Sequence, residues 1–228
     1  MNFPVRLPGG ARRNHATAFA GLVSFRSIIS VLGGLIVGLS AHAQIAFSEA
    51  DSGDLSNDGL TPTAVMLAAG SNQIFGTTGF STAVDRDYLT VTVPKGFALT
   101  SLVELPGTTS GRVSFLGLQA GSQLTVPTNT ASAAGLLGWV HYSPAHINQN
   151  LFSTLSTPSF GSSGFTPPLE AGNYSLWIQD FTAGTFNYGF DLRLTPVPEP
   201  STYGIAGLLL LAAAIARRRR TATLRAGC

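Results

Sequence analysis

The residues best suited to chemistry stand at the head of the chain's central region, in Asp54-Leu55-Ser56-Asn57-Asp58-Gly59. Side-chain oxygens at the first, third and fifth positions, with glycine at the sixth, copy the first half of a calcium-binding loop. The twelfth position, where such a loop carries a bidentate glutamate, is Val65, which excludes an EF-hand. Further ligands would have to come from elsewhere, and Asp85 and Asp87 are the candidates. One expectation is therefore Ca2+ held by Asp54, Ser56, Asp58, Asp85 and Asp87. The other is an Asx-type turn at Asn57-Asp58-Gly59, where side chains bond to nearby backbone and need no ion. Nothing in the chain requires any other cofactor.

Catalytic chemistry has little to work with. There is no G-x-S-x-G elbow, and the single cysteine, Cys228, is the last residue, so the central region holds no thiol nucleophile. His141 and His146 lie five apart without an H-E-x-x-H pattern, too few ligands for zinc. His141 reads as a polar residue at a strand end. Glu104, Glu170, Asp180 and Asp191 read as solvated strand or turn residues. A glycoside hydrolase would need two such carboxyls brought together by the fold, in a cleft with aromatic sugar platforms. Trp139, Trp177 and Tyr142 are the candidate platforms, although strand aromatics more often belong to the core.

The elements that must position these residues are strands. Charged residues make up 11% of the 228 residues, less than half the roughly 25% of an average domain, while 26 Gly and 13 Pro supply many turns. This composition excludes coiled coils and acid-rich disorder. Alternation is clearest at Tyr88 to Val93, where Leu89, Val91 and Val93 share one face. Further strands are expected at Leu99 to Leu105, Val113 to Leu118, Leu136 to Tyr142, Tyr174 to Ile178 and Tyr188 to Leu194. Two more, Ala64 to Leu67 and Gln73 to Phe75, flank a turn at Gly70-Ser71-Asn72. Ser143 to Pro168, rich in Ser, Thr, Gly and Pro, is expected to be a long loop across one end. The fold class is all-β, an antiparallel two-sheet β-sandwich of jelly-roll type, spanning residues 44–196.

Both ends read as targeting segments. Arg6, Arg12, Arg13 and Arg26 precede an apolar run from Ile28 to Leu39, and Ala41-His42-Ala43 fits a small-x-small cleavage pattern. Residues 1–43 are thus expected to be a signal peptide read by the Sec translocon, cleaved between Ala43 and Gln44. Near the other end, Pro198-Glu199-Pro200 precedes the apolar run Tyr203 to Ala216, the basic cluster Arg217, Arg218, Arg219 and Arg220, and a short tail at 221–228. Fourteen residues of helix rise about 21 Å, short of a roughly 30 Å hydrocarbon core, so a short transmembrane helix is expected only if flanking residues extend it. The arginines would keep that end cytoplasmic. Between the two ends, residues 44–200 carry four basic groups and all 11 acidic ones, a net charge of −7 despite the chain's overall +2. A folded region of that sign makes nucleic acid an unsuitable partner.

Pro-Glu-Pro, a short apolar helix and an arginine cluster, over residues 197–220, resemble the PEP-CTERM sorting signals of exported proteins in Gram-negative bacteria that make exopolysaccharide. The resemblance implies processing near Pro198-Glu199-Pro200 by an exosortase, a membrane-embedded cysteine transpeptidase-like enzyme. Membrane contact would then last only until processing, and the product would reach the cell surface or medium. A second resemblance lies in the central region. Ser52 to Asp58, the Asp85 to Gly96 segment and Gly172 to Ile178 look like bacterial pre-peptidase C-terminal β-sandwich domains, which usually serve as non-catalytic modules. Leu89 and Val91 stand where that pattern has aromatics.

Together these features lead to an exported, non-catalytic β-sandwich that interacts with exopolysaccharide or other matrix. An accessory binding module beside a secreted enzyme, or a carboxylate-dependent glycoside hydrolase, are the alternatives.

Overall fold

A computed structural model describes residues 43–129, 132–198, 207–215 and 217, all within one compact unit spanning 41–228. The expected signal peptide, Glu199 and Pro200 of the sorting motif, and Arg218 to Arg220 lie outside the described residues.

Among the described residues, nine strands form one curled, mostly antiparallel sheet. They are β1 (Gln44–Ser48), β2 (Thr63–Val65), β3 (Gly70–Phe80), β4 (Val84–Val93), β5 (Phe97–Glu104), β6 (Ser114–Ala120), β7 (Gly138–Val140), β8 (Gly172–Asp180) and β9 (Gly184–Pro196). The hydrogen-bonded order is β5-β9-β3-β4-β8-β6-β7. β1 adds to β3 and β2 adds to β4, each in parallel. β3 and β4 pair only through Gly79 with Asp85 and Phe80 with Val84. That narrow seam is the corner at which the sheet turns over on itself.

Alternation explains why the two halves of the sheet share one core. Leu89, Val91 and Val93 of β4, Leu116 and Leu118 of β6, and Leu176 and Ile178 of β8 join Ile74, Leu99, Leu102, Phe190, Leu192 and Leu194 from the other side of the corner in one buried cluster. Each such side chain contributes about 1.5–3 kcal/mol when taken out of water. The all-β, mostly antiparallel expectation holds, and the strand pairing joins the strands in a single curled sheet whose two halves share that one cluster.

Three local expectations are corrected. Gly70-Ser71-Asn72 is not a turn but the start of β3. There Asn72 is fully buried and its amide donates to the carbonyls of Ala68, Gly70 and Leu192, so a turn-forming residue serves as an internal strut. Ser143 to Pro168 is not a plain loop across an end. It contains a 3-10 turn (Pro144–His146) and a short helix (Phe152–Leu155), and it drives Leu151, Phe152 and Leu155 into the core. Finally, residues 207–215 and 217 are helical, but no helix among the described residues is long and apolar enough to cross a membrane.

Candidate functional site

The strands present two sites, one on the outer face of the sheet and one at the β3–β4 corner. On the outer face, the same alternation that buries Leu89, Leu116, Leu176, Ile178 and Val140 points Tyr88, Phe115, Trp177 and Trp139 the other way. Tyr88, Trp177, Gly117 and Trp139 fall side by side across β4, β8, β6 and β7. Leu124, Val126, Ala133 and Leu136 from the β6–β7 connection cover part of this row and make a second apolar cluster with it. The uncovered part is an open cleft of about 410 Å³, lined among others by Phe115, Trp139, His141, Phe160 and Phe181.

The cleft's rings are held at fixed angles. Phe115 stacks on Trp139 at 6.0 Å and meets Trp177 edge-on at 4.9 Å. Phe160, 74% exposed, stands edge-on to Trp139 at 5.5 Å. Trp139 Nε1 donates to the Ser159 carbonyl at 3.3 Å, and Trp177 Nε1 to Gln179 Oε1 at 2.9 Å. Arg86 donates to that same Gln179 oxygen and lies over the Phe181 ring. His141 abuts Trp139 edge-on, and its Nδ1 is hydrogen-bonded to the Ser114 carbonyl. Among the described residues lining this cleft there is no carboxylate. Of the three candidate platforms, Trp139 lines the cleft half-buried, Trp177 forms its floor, and Tyr142 is a core residue bonded to Thr78.

The acidic residues divide differently from the spacing of the sequence. Ser56 and Asp58 build a local turn. Asp58 N–H donates to Ser56 Oγ at 3.1 Å, Leu60 N–H to Asp58 Oδ1 at 2.9 Å, and the Thr61 hydroxyl to Asp58 Oδ2 at 2.9 Å. Asp54 and Asp87 instead meet Glu49, and one carboxylate oxygen from each lies within 4.8 Å of the other two. Glu49 opens a four-residue helix, α1 (Glu49–Ser52), and its Oε2 accepts from Thr77 N–H at 2.8 Å, which pins α1 to β3. Spacing gave no hint of Glu49, because it reaches the cluster only through the non-local parallel pairing of β1 with β3.

Asp87 is wholly buried and neither of its carboxylate oxygens has a hydrogen-bond partner; Glu49 Oε1 is likewise buried and unpartnered. Burial, then the charge of Glu49, raises the Asp87 carboxyl to about 9, with Asp85 and Asp54 adding to the rise and the nearby Tyr188 hydroxyl opposing it. Asp85 is also raised, by burial first and then by Asp54 and Glu49. Glu49, Asp54, Thr77 and Asp85 line a second cleft, of about 380 Å³, with no lysine or arginine among the described residues of its wall.

The acids expected to be solvated are mostly buried. Asp180 accepts from Gly111 N–H and Thr182 N–H, and Asp191 from Ser71, Asn72 N–H and Arg193. Glu104 is fully buried with neither oxygen partnered. In each case the strand places the side chain on the inner side or at its margin, a matter of register that local composition does not carry.

Residues 196–220 match the PEP-CTERM protein-sorting motif. The chain carries a PEP-CTERM sorting signal. With this signal the protein is an exosortase-sorted extracellular protein. Of the matched residues, 196–198, the helical 207–215 and Arg217 are described. No curated protein and no solved structure matches the chain, so the likeness to pre-peptidase C-terminal domains has no support from a relative.

Proposed function

We propose that this PEP-CTERM protein is a non-catalytic β-sandwich module that binds exopolysaccharide at the cell surface or in the matrix, after release from an inner-membrane precursor by exosortase in a Gram-negative bacterium. The observation that carries this is the open aromatic cleft at Trp139, Phe115 and Phe160. Sugar rings present apolar C–H faces that pack on aromatic rings, and pockets of this kind combine apolar walls with a few placed polar groups. His141, Gln179 and Thr128 supply polar groups here. A lining without carboxylates supports binding over glycoside hydrolysis, which needs a pair of them across the scissile bond.

Co-sedimentation of the exported chain with exopolysaccharide from a producing strain tests the proposal. The native protein should pellet with the polymer, and Phe160→Ala, an exposed position, should remain in the supernatant while melting as the native protein does. Equal pelleting of the two proteins would refute the cleft as the binding surface.

A further inference from the structure

We propose that Glu49, Asp54 and Asp87 together bind one calcium ion at the β3–β4 corner. This site is separate from the aromatic cleft and differs from the loop suggested by spacing, because Ser56 and Asp58 are engaged in their own turn.

Three observations carry the assignment. First, one oxygen from each carboxylate lies within 4.8 Å of the others. Oxygens bonded to one ion at about 2.3–2.6 Å meet that limit, and three carboxylates suit calcium, which takes 6–8 oxygen ligands, better than magnesium, which is usually held by one or two carboxylates and keeps several waters. Second, Asp87 is fully buried in the strand, its oxygens are unpartnered, and one of them belongs to the group. A buried carboxylate without a donor is costly unless a cation supplies the missing partner. Third, Glu49 divides its two oxygens: Oε2 accepts from Thr77 N–H and the Thr77 hydroxyl, while Oε1 is buried and unpartnered. The side chain is thus fixed on one side and free on the other, as hydrogen-bonded metal ligands commonly are.

The ligands are all oxygen and all hard, which selects calcium over transition metals. Asp54 is exposed and, with Asp85, opens onto the second cleft, giving the ion an entry path and room for the waters that complete its coordination. The three ligands come from α1, from the segment following it, and from β4. An ion there would tie the segment just after Gln44 to the middle of the sheet. Calcium would thereby make the fold of the exported chain depend on an ion abundant outside the cell and scarce within it.

Titration calorimetry of the exported chain, stripped with EDTA and then given calcium chloride, reads the site directly. One equivalent of calcium should bind, and the melting temperature should be higher in calcium than in EDTA. Asp54→Asn, an exposed and structurally mild change, and Glu49→Gln should each weaken binding by about tenfold or more, since affinity follows ligand charge. Asp58→Asn should leave it unchanged. Asp87→Asn should abolish the response; where that variant fails to fold, Asp54→Asn and Glu49→Gln decide. Absence of heat with identical melting at millimolar calcium would overturn the proposal. So would native affinity in Asp54→Asn and Glu49→Gln, loss of binding in Asp58→Asn, or equal affinity for magnesium. Failure of polysaccharide binding with calcium binding intact would touch only the function proposed for the aromatic cleft.

Discussion

The ring of Phe115 lies over Gly117, with its Cε1 only 2.9 Å from where a Cβ on that glycine would stand. Gly117 pairs with Trp177 on one side and with Trp139 on the other. The missing side chain therefore leaves a gap in a row of large rings, and Phe115 fills it from above while touching both tryptophans.

Gly117→Ala should displace Phe115 and, with Leu136 also close to the new methyl, destabilise the domain by about 1–2 kcal/mol through overpacking. Urea unfolding gives the stability, and near-ultraviolet circular dichroism reports the tryptophan environment. A variant with native stability and a native aromatic spectrum would contradict the packing described.

Asn72→Ala removes a buried amide that donates to three carbonyls and whose Oδ1 accepts from Ala68 N–H and Gln44 Nε2. Leaving several buried backbone groups unpaired should cost about 2–4 kcal/mol. The midpoint of urea unfolding should fall accordingly; a shift no larger than that of an exposed Asn→Ala control would show that the strut is dispensable.

Much of this sheet was legible in the sequence and some of it was not, for physical reasons. The alternation of Leu89, Val91 and Val93 marks β4 because one face is continuously apolar. The opposite face carries Tyr88 in β4, Trp177 in β8 and Trp139 in β7, and these were readable as aromatics but not as a shared surface, since only strand order makes them neighbours. Gly70-Ser71-Asn72 has turn composition yet starts a strand, because the Asn72 amide bonds backbone within its own sheet. At the acidic site, Asp54 and Asp87 were legible as oxygen donors. Glu49 was not, because its approach depends on β1 running parallel beside β3, a pairing with no local sequence mark. Four of the nine positive-φ glycines among the described residues, Gly53, Gly96, Gly107 and Gly121, would each meet nothing within 4 Å on gaining a Cβ, so backbone conformation, not space, is what selects glycine there.

Glu104 should make stability fall as pH rises through the mildly acidic range. Burial raises its carboxyl from the usual 4.5 to about 7. Below about pH 4.5 both folded and unfolded chains hold the proton. Between there and pH 7 the unfolded chain loses it first, so its binding of fewer protons drains stability from the folded state until both forms are ionised. Glu104→Gln should remove this slope, worth on the order of 3 kcal/mol, when melting is compared with the native chain from pH 4.5 to 7.5. Parallel curves for the two proteins would exclude Glu104 as its source.

Sorting should depend on both the motif and the apolar run behind it, in different ways. Replacing Glu199 with alanine should leave the precursor membrane-associated but slow its conversion, seen as accumulation of the longer form in a pulse-chase. Deleting 203–228 should instead release the domain without a membrane-held precursor. Conversion of the Glu199 variant at the native rate would argue that Pro198-Glu199-Pro200 is not what the processing enzyme recognises.

Trp139 offers the most direct test of polysaccharide binding, because a sugar packed in the cleft must change the surroundings of its indole. Titrating the exported chain with purified exopolysaccharide fragments should shift tryptophan emission to shorter wavelength with saturation, and Trp139→Phe, which leaves only the buried Trp177 in the cleft, should lose most of that shift while Phe160→Ala weakens the binding that produces it. An emission spectrum unmoved by saturating polysaccharide, or a full shift persisting in Trp139→Phe, would contradict the cleft as the place where this protein meets its matrix.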